Sequence, residues 1–126
     1  MGKKNTKKKN FITIRIVDTK EIKQLNFMYR NKKKPTNILS FPYNIHLNSN
    51  NILLGDLVIC SKIIKEEAKK QKKTIKEHWA HIFIHGVLHL LGFDHINKKE
   101  AKKMESLECE ILNKLGFKNP YISNII

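Results

Sequence analysis

The chain has 126 residues, 40% of them hydrophobic, a proportion that suits one domain with its own core and excludes wholesale disorder. Its formal charge of +14 at pH 7 predicts attraction to a polyanion, nucleic acid first, although the excess is nearly all lysine beside abundant Asn and Ile, the usage that an AT-rich genome imposes on any protein. Two cysteines, Cys60 and Cys109, lack CxxC spacing and exclude a disulfide scaffold, and the longest apolar run is short and broken by His85 and His89, so a cytoplasmic protein with no membrane partner is expected.

Residues 1–10 read as a basic flexible arm ahead of a single domain over 11–126. "FITIRIV", from Phe11, alternates with period two and predicts a half-buried strand. Asp18 followed by Glu21 is a capping signature, and Ile22, Leu25 and Met28 recur at helical spacing, which predicts a helix to about Tyr29. "RNKKKPTN" is a turn-rich loop. After it, "ILSF" and "LLGDLVIC" read as short strands able to form a hairpin across the Asn-rich connection 42–51. Ser61 opens a lysine-rich helix over 62–73, whose charge reads either as a solvated face or as an RNA contact. Thr74 with Glu77 forms a second capping box and opens an apolar helix from Ile75 through about Leu91 that stops at Gly92. Asn97 with Glu100 starts the last helix, whose stripe of Met104, Leu107, Ile111 and Leu115 ends at Gly116. Strands early and helices late argue for an α+β fold with helices packed on one small sheet.

The apolar helix ends in "HGVLHLLGFDH", which gathers three of the six histidines in the chain. His85 and His89, four apart, stack on one helix face and can aim two imidazoles at one point. Gly92 can take the left-handed turn that ends the helix, so that His95 faces the same point three residues later. Zinc accepts imidazole nitrogen and favours four tetrahedral ligands, so one ion per chain is expected at the end of this helix; core histidines on an apolar face are the alternative. The spacing H-x-x-x-H-x-x-G-x-x-H is that of the metzincin zinc peptidases, where the second position is a glutamate base. Gly86 stands there instead, which removes that base and marks a close approach to the helix by substrate or by packing. Three protein ligands and an open position would make the zinc catalytic; Cys60 or Asp94 are the residues able to close the site. His78 and His81 share the stripe, but no glycine turn serves them and they read as structural.

"HWAHIFIHGVLHLLGFDH", with "YRNKKKPTNILSFPY" and "LGDLVIC", resembles the YbeY family of bacterial rRNA maturation factors over Phe11 to Gly116. The resemblance implies an α+β fold with a small mixed sheet, in which 11–126 is a single catalytic domain. It also implies a metal-dependent endoribonuclease acting on single-stranded RNA, in 3′-end maturation of small-subunit rRNA and in ribosome quality control. His85, His89 and His95 match the family's zinc ligands, and Arg30 matches its active-site arginine. Arg30 and Arg15 are the only arginines, and drift toward lysine would have replaced an arginine that was merely a cation. The partners implied are single-stranded RNA, small-subunit rRNA and the ribosome, with small-subunit ribosomal proteins or an assembly GTPase as further candidates. On this reading zinc polarises the scissile phosphate or acidifies a water, while Arg30 meets the charge developing on phosphoryl oxygens. Two other functions fit the same residues: a non-catalytic ribosome assembly factor with structural zinc, and a zinc peptidase.

Overall fold

A strand buried on both faces needs apolar side chains at successive positions rather than alternate ones, and the segment that reaches "LLGDLVI" is the chain's best candidate. The computed structural model describes residues 8–121, so residues 1–7 of the expected arm lie outside it. In it that segment is β3 (Asn51–Ile59), the centre of a three-stranded sheet ordered β1-β3-β2. β1 (Lys9–Ile16) runs parallel to β3 and β2 (Ile38–His46) antiparallel to it, so the sheet is mixed. Leu57 and Ile59 of β3 enter a core with Ile64, Ile82 and Leu90, whereas Val58 and Cys60 enter another with Val17, Ile22 and Leu39. Helices α2 (Ser61–Lys70) and α3 (Ile75–Leu90) therefore cover one face and α1 (Thr19–Arg30) the other. α4 (Lys98–Lys114) packs on α3 through Met104 and Leu112 against Ile84 and Leu88. The α+β fold expected from the sequence is the fold observed.

Several boundaries and faces differ from expectation for identifiable reasons. β1 begins at Lys9, inside the expected arm, and of its apolar residues only Ile12 packs against the main core; Ile14 is 51% exposed. An outer strand whose principal contacts are with β3 alone cannot bury a whole face. β2 continues through Pro42 to His46, with a register shift between Pro42 and Ile45 and a left-handed Asn44. Proline is tolerated there because β2 is an edge strand. In α1, Met28 is exposed and Asn26 is buried instead, donating from Nδ2 to the Lys34 carbonyl at 2.9 Å and so holding the loop after Arg30. α2 stops at Lys70, three residues early, before a left-handed Lys72. In α4 the buried residues are Met104, Glu108 and Leu112, while Leu115 is exposed.

α3 positions the site. Its capping box is formed as expected: Thr74 Oγ1 accepts from the Glu77 N–H at 3.1 Å and Glu77 Oε1 accepts from the Thr74 N–H at 2.9 Å. Residues four apart then make separate stripes. Ile82, Gly86 and Leu90 are buried, with Ile82 and Leu90 in the sheet-side core, while Ile84 and Leu88 meet α4. A Cβ on Gly86 would stand 2.5 Å from Ile38 Cδ1, 3.0 Å from Leu57 Cδ2 and 3.3 Å from Ser40 Oγ. Packing against β2 and β3 thus accounts for this glycine, and Ser40 Oγ donates to the Gly86 carbonyl at 3.2 Å. Restoring the peptidase glutamate with Gly86→Glu would overpack this contact and bury a charge. The midpoint of urea unfolding should fall by the equivalent of about 3 kcal/mol or more; an unchanged midpoint would mean that α3 does not lie this close to the sheet.

Candidate active site

The third stripe of α3, His81, His85 and His89, faces neither the sheet nor α4's apolar side and opens on a cleft of about 720 Å³. Gly92 takes φ of 102° after the helix, and the Phe93 N–H closes the turn on the Leu88 carbonyl at 3.0 Å. Phe93 is anchored beside Ile84 and Leu88, which swings His95 back toward the helix. The ring centroids of His85 and His89 are 4.6 Å apart, with His95 at 5.1 Å from the first and 4.9 Å from the second. One nitrogen from each of the three lies within 4.8 Å of the others, so the structure brings together the three histidines expected to share an ion.

Hydrogen bonds fix which nitrogen each helical imidazole offers. His89 Nδ1 lies 3.0 Å from the Phe93 carbonyl, which can only accept, so that nitrogen carries the proton. His85 Nδ1 donates to Glu108 Oε2. Both Nε2 atoms are then left with lone pairs facing each other across 3.1 Å. Two ligands of one tetrahedral zinc at about 2.0 to 2.1 Å would be roughly 3.3 Å apart, so this donor set fits a shared cation. Burial, and after it the charges of His85 and His95, lower the pKa of His89, which keeps its imidazole neutral, the form that binds metal.

Glu108 is the residue that sequence reasoning missed. Its carboxylate is fully buried, accepts from Tyr121 Oη through Oε1, and lies 3.4 Å from His81 Nε2. Burial alone would raise its pKa, but hydrogen bonds from His81, His85 and Tyr121 prevail and bring it down to about 2. The only signal in the sequence was that, of the three acids between Met104 and Leu112, Glu108 alone is spaced by four from both of these apolar residues. His78 is separate: it is buried with Nε2 2.8 Å from Glu67 Oε1, which also accepts from Asn37, and so ties α3 to α2.

Arg30, from the end of α1, lines the same cleft as His85 and His89. Its guanidinium donates to the Ser40 carbonyl at 2.8 Å and sits 5.2 Å over the Phe41 ring, which holds it at the outer strand β2. Arg15 is elsewhere, paired with Glu21 on the surface. Asp94 also lines the cleft; its Oδ1 accepts from the His95 N–H at 2.8 Å. Cys60 is packed in the core beside Ile22 and Val58, so it is not among the grouped ligands. A cation beside a guanidinium in one open cleft is an arrangement suited to a phosphate group. Adding a divalent transition-metal ion at one hundred times its Kd should stabilise the metal-free protein by about 2.7 kcal/mol in thermal unfolding. His89→Ala should remove that gain, and an equal gain in both proteins would place the ion elsewhere.

Among known proteins, the family model described as endoribonuclease YbeY matches residues 1–116. A protein of Buchnera aphidicola (subsp. Acyrthosiphon pisum, strain APS) named endoribonuclease YbeY is 60% identical over 113 residues, covering 90% of this chain and 73% of its own. A protein of the same name from Colwellia psychrerythraea is 55% identical over 111 residues, covering 88% and 72%. The solution structure of TM1509 from Thermotoga maritima superposes with a TM-score of 0.52 at 27% identity, over 83% of this chain and 70% of that one. With a family match over nearly its whole length and two relatives above half identity, this chain belongs to the YbeY family.

Proposed function

We propose that the chain is a zinc-dependent endoribonuclease that cuts single-stranded RNA, with one catalytic domain that begins at β1 (Lys9), so that the basic arm is shorter than the expected 1–10. Family membership supports the nuclease role. The observation that carries the rest is that His85 and His89 open on a single cleft with the Arg30 guanidinium, and His95 is grouped beside them. His85, His89 and His95 would hold the ion, and zinc in such a site supplies Lewis acidity toward a phosphate or a water. Arg30 presents planar paired donors to a phosphoryl group, oriented by the Ser40 carbonyl and the Phe41 ring. Glu108 is enclosed by its partners and is not free to shuttle a proton in the cleft, whereas Asp94 is an exposed acid lining it.

The substrate we assign is the 3′ end of small-subunit rRNA, processed on the ribosome in the cytoplasm, including a role in ribosome quality control. Small-subunit ribosomal proteins or an assembly GTPase would be the protein partners. No helix among the described residues is long and apolar enough to cross a membrane. A second cavity, of about 340 Å³, shares His81 with the main cleft and is lined by Lys72, Lys73 and Lys118. An RNA backbone leaving the metal would meet these cations next. An assembly factor with structural zinc would call for a fourth protein ligand, and the burial of Cys60 in the core speaks for the open site instead. A peptidase lacks its base at Gly86, whose surroundings leave no room for one.

The deciding experiment is cleavage of a labelled single-stranded RNA carrying a precursor rRNA 3′ end, with zinc content measured on each protein. Arg30→Ala should keep zinc and lose roughly 100-fold to 1000-fold in cleavage rate, while His89→Ala should lose both. Full cleavage by Arg30→Ala would remove that residue from the active site, and cleavage by all proteins alike would point to a contaminant. Replacing Lys72, Lys73 and Lys118 together by Ala should weaken RNA binding and flatten the slope of log K against log salt by about 2, at about 0.7 per phosphate contact. An unchanged slope would route the RNA away from the second cavity.

A further inference from the structure

We infer that Glu108 is a positioning residue of the metal site, a buried carboxylate carried in on α4 to clamp His85 with its Nε2 toward the ion; the inference rests on the metal reading above. A carboxylate without exposed surface is costly unless both oxygens are satisfied. Here Oε2 takes the proton of His85 Nδ1, and Oε1 takes the Tyr121 hydroxyl with His81 Nε2 at 3.4 Å. Its neighbours along the helix, Met104 and Leu112, are apolar and buried, so an apolar side chain at 108 would satisfy packing without any of these partners.

The rest of the site lacks what Glu108 supplies. His89 is oriented by a neutral backbone carbonyl, and the acid nearest His95, Asp94, is solvent-exposed with its Oδ1 4.0 Å from His95 Nδ1. Imidazole ligands bring no negative charge to a divalent ion held among them, and Glu108 would be the enclosed anion that offsets half of that charge. Tyr121 reaches the same carboxylate from the segment after α4, so that α4 and its following turn both converge on His85.

The fold provides its own control. Glu67 makes the same kind of contact to the buried His78, but outside the histidine group, so it has the structural role without the metal. Zinc affinity would be measured by competition with a chromophoric chelator, together with the visible spectrum of the Co²⁺-loaded protein. Glu108→Gln should bind zinc 10-fold to 100-fold more weakly and shift the Co²⁺ bands, while Glu67→Gln changes neither. If the parent protein binds no zinc, the metal reading itself falls and the inference with it. If the parent binds and Glu108→Gln matches it in affinity and spectrum, or if Glu67→Gln weakens zinc as much, the inference is overturned and the metal reading stands. Should Glu108→Gln fail to fold, Tyr121→Phe takes its place with an expected loss of roughly fivefold, part of the worth of its hydrogen bond to the charged carboxylate, and an unchanged affinity there overturns the inference.

Discussion

The close seating of α3 on β2 and β3 at Gly86 is the contact on which the site depends. Because a helix turns about 100° per residue, bringing position 86 against the sheet also commits Ile82 and Leu90 to the core and sends His85 and His89 to the open side. The absence of a side chain at 86 is what lets Ile38 and Leu57 pack beneath the helix backbone. A Cβ there would have to displace the end of the Ile38 side chain, and a longer side chain would press away from the sheet the helix that carries two of the three imidazoles. The glutamate that a peptidase keeps at this position and the packing seen here are sterically exclusive.

Orientation of the imidazoles is a second layer of the same design. Neutral imidazole has one donor and one acceptor nitrogen, and whichever partner takes the proton decides where the lone pair points. The Phe93 carbonyl does this for His89 and Glu108 does it for His85, and the turn at Gly92 supplies the first of these while also returning His95. One glycine therefore contributes to a helix stop, to the tautomer of His89 and to the placement of His95.

Arg30 comes to this cleft from the opposite face of the sheet. α1 packs through Ile22 and Leu25 on the far side of β3, and its last residue reaches the cleft at the edge strand β2. The buried Asn26 pins the following loop through the Lys34 carbonyl, which keeps the end of α1 in place. Of the two arginines that scarcity singled out, Arg30 lines this cleft, whereas Arg15 pairs with the surface residue Glu21. A surface pair of that kind contributes little to stability.

Local chemistry in the sequence determined the elements and the core of the site: helix N-caps at Asp18, Thr74 and Asn97, glycine stops at Gly92 and Gly116, and a histidine spacing that allows few other geometries. These are effects within one or two helical turns, so they can be read from neighbouring letters. Faces were less legible than elements, as with Met28, Leu115 and Ile14, because which side of a helix or edge strand is covered depends on what lies opposite it. The reason for Gly86 was decided by β2 and β3, and the removal of Cys60 from the candidate ligands by its place against α1. Glu108 is the clearest case: it stands 23 residues from His85 on a different helix. Helical periodicity made it look like one more charge of α4, and only the docking of α4 against α3 brought it onto the histidine cluster.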